Sequence, residues 1–138
     1  MSSNRVCLVT ALACSLTFLV ASQTRAQQQP GHVVQWTGTY VEANTGAPVA
    51  GSTITLIKLQ DGSYDGNWDG FPMEEQSHTG AIWTFVGGVP QGSPGNATRY
   101  EYLVRRLENG DIYAEFAGFS ADGTEVTAGS GTFQRIHG

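Results

Sequence analysis

The chain has 138 residues, 12 of them acidic and 7 basic, for a net charge of −5. Phosphate neutralisation needs clustered Lys and Arg, so this balance excludes a nucleic-acid binder. Beyond the N-terminal segment no apolar run approaches the ~20 residues of a membrane-spanning helix, and the length suits one domain with a modest core.

The first element is a targeting segment. Met1 to Arg5 is a short basic start, Val6 to Ala21 is almost unbroken apolar sequence, and Thr24-Arg25-Ala26 carries small residues at both cleavage-critical positions. That is the anatomy of a signal peptide over 1–26, which predicts a secreted or periplasmic protein. Cys7 and Cys14 leave with it, so the mature chain has neither thiol chemistry nor thiolate metal ligands. A polar lead-in follows at 27–32, and 33–138 forms a single β domain.

Beyond the lead-in, turn dipeptides recur while helical periodicity is missing. Asn44-Thr45-Gly46, Asp61-Gly62, Asn109-Gly110 and Asp122-Gly123 punctuate segments rich in β-branched and aromatic residues. The predicted strands are 33–42, 52–60, 63–69, 81–87, 99–108, 111–119 and 124–136, with longer loops at 70–80 and 87–98. The expected fold is all-β, a small antiparallel up-and-down β-barrel of seven or eight strands, with a β-sandwich as the alternative.

Read as two-residue loops, the turns set the registers. Asp61-Gly62 then pairs Gln60 with Ser63. Leu59, Ile57 and Thr55 join Tyr64, Gly66 and Trp68 on an inward face, while Lys58, Leu56 and Ile54 face solvent with Asp65, Asn67 and Asp69. The recurring Asp61, Asp65 and Asp69 suggest calcium, yet Asp65 and Asp69 stand ~13 Å apart along an extended strand, too far for one ion. Asn109-Gly110 likewise pairs Glu108 with Asp111. The face with fewer charges, carrying Tyr100, Tyr102, Val104, Arg106, Tyr113, Glu115, Ala117 and Phe119, is the expected interior.

In that interior Arg106 and Glu115 lie diagonally across neighbouring strands, with Tyr113 beside them. A carboxylate next to a phenol can move protons, and Arg can hold a carbonyl or carboxylate, so these three are the candidate catalytic residues. Tyr100, Tyr102, Trp36, Tyr40, Tyr64 and Trp68 are the candidate ligand-binding residues, as rings lining a pocket. His32, His78 and His137 are scattered, so no metal site is expected, and no cofactor motif is present. Asn96-Ala97-Thr98 is a glycosylation sequon. The opposite face sets Leu103, Leu107, Ile112, Phe116 and Phe133 outward in an apolar patch rimmed by Glu101, Arg105 and Arg135, which predicts a homo-oligomer, a dimer or trimer.

Trp36-Thr37-Gly38-Thr39-Tyr40 in the first strand and Arg135 in the last resemble the calycin superfamily of lipocalins and avidins. That family has Gly-x-Trp in its first strand and a basic residue near the end of its last, packed together to close one barrel end. Here Gly38-Thr39-Tyr40 stands for the motif with Tyr in place of Trp. Small cyclase barrels related to allene oxide cyclase are similar in size and strand pattern. The first functional expectation is an exported protein binding a small, partly apolar ligand. The alternatives are a cofactor-free cyclase, isomerase or hydrolase using the same cavity, and a secreted inhibitor or interaction module acting through loops 70–80 and 87–98.

Overall fold

The structure, a computed structural model, describes residues 32–89 and 96–137. The segment read as a signal peptide and nearly all of the lead-in lie outside the described residues. Eight antiparallel strands follow one another: β1 (His32–Glu42), β2 (Pro48–Lys58), β3 (Tyr64–Trp68), β4 (Phe71–Thr79), β5 (Ile82–Gly88), β6 (Arg99–Arg106), β7 (Ile112–Phe119) and β8 (Glu125–His137). Each pairs with the next, and β8 returns to β1, so the sheet closes into an up-and-down barrel without edges.

The eighth strand is β4, which occupies the predicted 70–80 loop. Pro72, Glu74 and the bulge between Glu75 and Ser77 hide its period-two pattern. Its existence is required by the closure. A seven-strand meander would bring its first and last strands together parallel, whereas β1 and β8 run antiparallel.

The registers at Asp61-Gly62 and Asn109-Gly110 differ by one residue from the two-residue reading. Leu59 N–H donates to Ser63 O at 2.8 Å and Gly62 N–H to Leu59 O at 3.0 Å; Leu107 N–H donates to Asp111 O at 2.8 Å and Gly110 N–H to Leu107 O at 3.1 Å. Only the glycine of each turn has positive φ, 89° at Gly62 and 90° at Gly110. These are three-residue loops, a type I turn followed by a left-handed glycine bulge. Asp61 and Asn109 each brace the turn by accepting a hydrogen bond from the backbone N–H two residues on.

A one-residue slip turns every side chain of a strand to the other face. On β2, Ile54 and Leu56 point inward and are completely or almost completely buried, opposite Trp68 and Gly66. Lys58 opposes Tyr64 rather than Asp65. Along β6 the expected inward residues Tyr100, Tyr102 and Val104 do face the core. On β7 the faces are exchanged: Ile112, Ala114 and Phe116 point inward, while Tyr113 and Glu115 belong to the outer wall. Strand β8 is exchanged with it, burying Phe133. The third turn, Ser120 to Thr124, has the same three-residue form, but a bulge between Gly118 and Phe119 offsets it, so β7 and β8 keep the expected mutual register.

Magnitudes explain the outcome. The observed register buries Ile112 and Phe133 fully and packs Phe116 against the core, each worth about 1.5–3 kcal/mol when completely buried. The alternative would turn Tyr113 and Glu115 inward instead, burying a carboxylate. The proposed outward patch therefore does not form: Ile112, Phe116 and Phe133 are in the interior, and of its members only Leu103 and Leu107 remain outside, both half-buried.

Candidate functional site

The barrel's two ends differ. At the end carrying the β2–β3, β4–β5 and β6–β7 turns, the rings are capped. Trp36 donates from Nε1 to Gly110 O at 2.9 Å. His78 stacks on Trp83 at 4.5 Å between centroids, and Tyr64 meets both edge-on at 5.5 Å. The Arg106 guanidinium lies over the Trp83 ring at 5.8 Å. Trp36 is also the residue opposite Arg135 in the β1–β8 ladder, whose side chain lies beside Gly110. Tyr40, which the resemblance would pack against Arg135, instead pairs with Gly131 further along the seam.

At the other end a small cavity of about 60 Å³ is lined by Tyr40, Trp68, Asp69, Phe71, Tyr100, Tyr102 and Phe116. Ring contacts run around it in a closed circuit. Tyr40 meets Phe116 at 5.3 Å, Phe116 meets Tyr100 at 5.9 Å, Tyr100 stacks on Tyr102 at 5.9 Å, Tyr102 meets Trp68 at 6.1 Å, and Trp68 returns to Tyr40 at 5.8 Å. Phe71 extends the wall from Tyr100 at 5.5 Å. Inward glycines make the room: a Cβ on Gly129 would lie 2.6 Å from the Phe116 ring, and one on Gly118 would lie 2.9 Å from that of Tyr100.

The β3–β4 turn places the one carboxylate of the lining. Asp69 and Gly70, with φ of 49° and 91°, form a true two-residue turn between the paired Trp68 and Phe71. Asp69 Oδ1 accepts from Thr53 N–H at 2.7 Å and Oδ2 from Ser52 Oγ at 2.5 Å. Ser52, itself buried, accepts in turn from Trp68 Nε1 at 2.8 Å. This chain of bonds fixes ring and carboxylate together.

The electrostatics follow from burial. Desolvation pushes the Tyr102 hydroxyl well above its ordinary pKa, with neighbouring Tyr100 adding to the effect, and burial alone raises Tyr100. Tyr40 is raised by burial first and then by the negative charges of Glu42 and Asp69. All three phenols are therefore neutral donors at ordinary pH. Among the described residues, Tyr102 OH, Trp83 Nε1 and Glu75 Oε1 are buried side-chain atoms with no hydrogen-bond partner.

Of the predicted ligand-binding residues, Tyr40, Trp68, Tyr100 and Tyr102 meet in this mouth, whereas Trp36 and Tyr64 belong to the capped end. Of the predicted catalytic residues, Tyr113 and Glu115 meet, but on the outer wall, and Arg106 does not join them. Glu115 is exposed on the outer wall, accepting from Tyr113 OH at 2.8 Å, with the Arg105 guanidinium 5.3 Å over the Tyr113 ring; Arg106 is at the capped end. Sequence reasoning missed Phe71, hidden in the unread β4, and Phe116, assigned to the wrong face. Asp69 is exposed, as expected, but it sits in the β3–β4 turn rather than on a strand; the Asp-Gly pair between Trp68 and Phe71 was the available signal. Among the described residues no three His, Cys, Asp or Glu side chains are placed to hold a metal ion, and no helix is long and apolar enough to cross a membrane.

A wider groove of about 620 Å³ crosses the outer wall, with Leu103, Ala117 and Ala128 in its lining beside Glu101, Glu115 and Glu125. In comparisons with known proteins, no family model, no curated protein and no solved structure matches this chain.

Proposed function

We propose that this chain is an exported small-ligand-binding barrel of calycin type, and that its ligand docks a headgroup into the aromatic mouth. The observation that carries this reading is the mouth itself: six aromatic rings and a fixed carboxylate around about 60 Å³. Pockets that enclose a drug-sized ligand run to ~300–1,000 Å³, so the remainder of the ligand stays outside the barrel. The eight-strand closed meander is compatible with a calycin-like barrel. Export rests on the signal peptide read over 1–26.

Native mass spectrometry of the protein purified from its own host is the test. The expected result is a retained small molecule that is lost in Tyr100→Ala, which removes one wall of the mouth. A ligand retained equally by that variant would place binding elsewhere. The outer groove supports a second reading, an interaction module whose acidic wall receives a basic partner. It predicts binding that weakens in Glu101→Gln/Glu115→Gln and is indifferent to Tyr100→Ala.

A further inference from the structure

We propose that the mouth selects an organic cation, an alkylated ammonium group, with Asp69 as its counter-ion; this rests on the mouth being the binding site. Aromatic faces carry negative quadrupole charge, and a cation set among several rings gains about 0.5–2 kcal/mol from such contacts. Tyr40, Trp68, Phe71, Tyr100, Tyr102 and Phe116 supply that surface, and no Lys or Arg lines the cavity.

Asp69 adds a full charge. Its two hydrogen bonds come from neutral donors, the Thr53 N–H and the Ser52 hydroxyl, so the carboxylate is oriented without being neutralised. Alkylation is favoured by the donor and acceptor inventory. A primary ammonium entering an aromatic wall has three hydrated N–H groups to re-pair, which Asp69 and the Tyr hydroxyls would have to share. A fully alkylated, quaternary ammonium sheds less hydration and has no N–H to pair. At about 60 Å³ the cavity takes a compact headgroup inserted from outside, not a whole ligand.

The experiment is an NMR titration of the mature chain, at constant ionic strength, with choline and with its uncharged carbon isostere dimethylbutanol. Choline is expected to shift the Trp68 indole N–H saturably and to bind at least about tenfold more tightly than the isostere, a 1.4 kcal/mol difference. Asp69→Asn should weaken choline by a similar factor and leave dimethylbutanol unchanged. Asn tolerates the positive φ and can still accept from Thr53 N–H, so the turn survives the test. Equal affinities for the two probes, or indifference of choline to Asp69→Asn, overturn the cation while sparing the mouth. Failure of both probes to shift any mouth residue removes the mouth reading as well.

Discussion

Replacing Ser52 by Ala deletes the one hydroxyl that joins Trp68 to Asp69. Ser52 is 2% exposed and Trp68 4%, so water cannot take the place of the lost oxygen. The Trp68 indole N–H is left buried and unpaired, at a cost of about 1–3 kcal/mol. Asp69 loses one of two hydrogen bonds, but it is exposed and can be rehydrated, so about 1 kcal/mol is a fair figure there. The expected destabilisation is about 2–4 kcal/mol, a large part of the 5–15 kcal/mol typical of a whole domain. Equilibrium urea unfolding followed by circular dichroism measures it. The decisive comparison is with Trp68→Phe, which has no indole N–H to strand. In that background Ser52→Ala should cost only the Asp69 share, which leaves a coupling of about 1–3 kcal/mol between the two sites. A cycle additive to within about 0.5 kcal/mol, or a single mutant of wild-type stability, refutes the bonded chain through which the mouth is held.

Phe116→Glu would bring a charge among Tyr40, Trp68 and Tyr100 and is expected to unfold the barrel, while Glu115→Gln, next to it but on the outer wall, should stay within about 0.5 kcal/mol of wild type; thermal melts in the reverse order would mean that β7 faces the other way. Gly131→Ala sets a Cβ 2.2 Å from the Thr39 carbonyl oxygen and 2.9 Å from Tyr40 Cα, so the β1–β8 seam must part at a cost of about 1–3 kcal/mol; Gly88→Ala, with nothing within 4 Å, is the control, and equal denaturation midpoints would show the seam to be looser than described. The Asp122 carboxyl is held down to about 2 by hydrogen bonds from the Ser120 hydroxyl and then the Thr124 N–H. Its folded value lies below the ordinary 3.8, so its stabilisation is present above about pH 4 and is lost as the pH falls toward 2. Asp122→Asn should flatten the stability curve over that acid window, and curves that stay parallel there would rule the contribution out.

The all-β class and most strand positions were legible in the sequence because they rest on local chemistry. Asp-Gly and Asn-Gly pairs make turns wherever the chain goes next, and β-branched residues, stiff at χ1, sit poorly in helices and pack well on a pleated surface. The inward face of β6 was legible too, since Tyr100, Tyr102 and Val104 alternate with charged or outward residues. Strand β4 was not, because its outward charges, proline and bulge erase the alternation that identifies a strand.

Only the tertiary structure decided which face of β2, β7 and β8 is inside. The dipeptide Asn109-Gly110 serves both a two-residue and a three-residue loop, and the two differ locally by the sign of one φ angle. That choice moves Ile112, Phe116 and Phe133 between solvent and core, a difference of several kcal/mol that exists only once eight strands enclose an interior. The mouth depends on the same closure. Tyr40, Trp68, Tyr100 and Phe116 come from β1, β3, β6 and β7 and touch only because the sheet closes on itself; separation along the chain carries no trace of that contact.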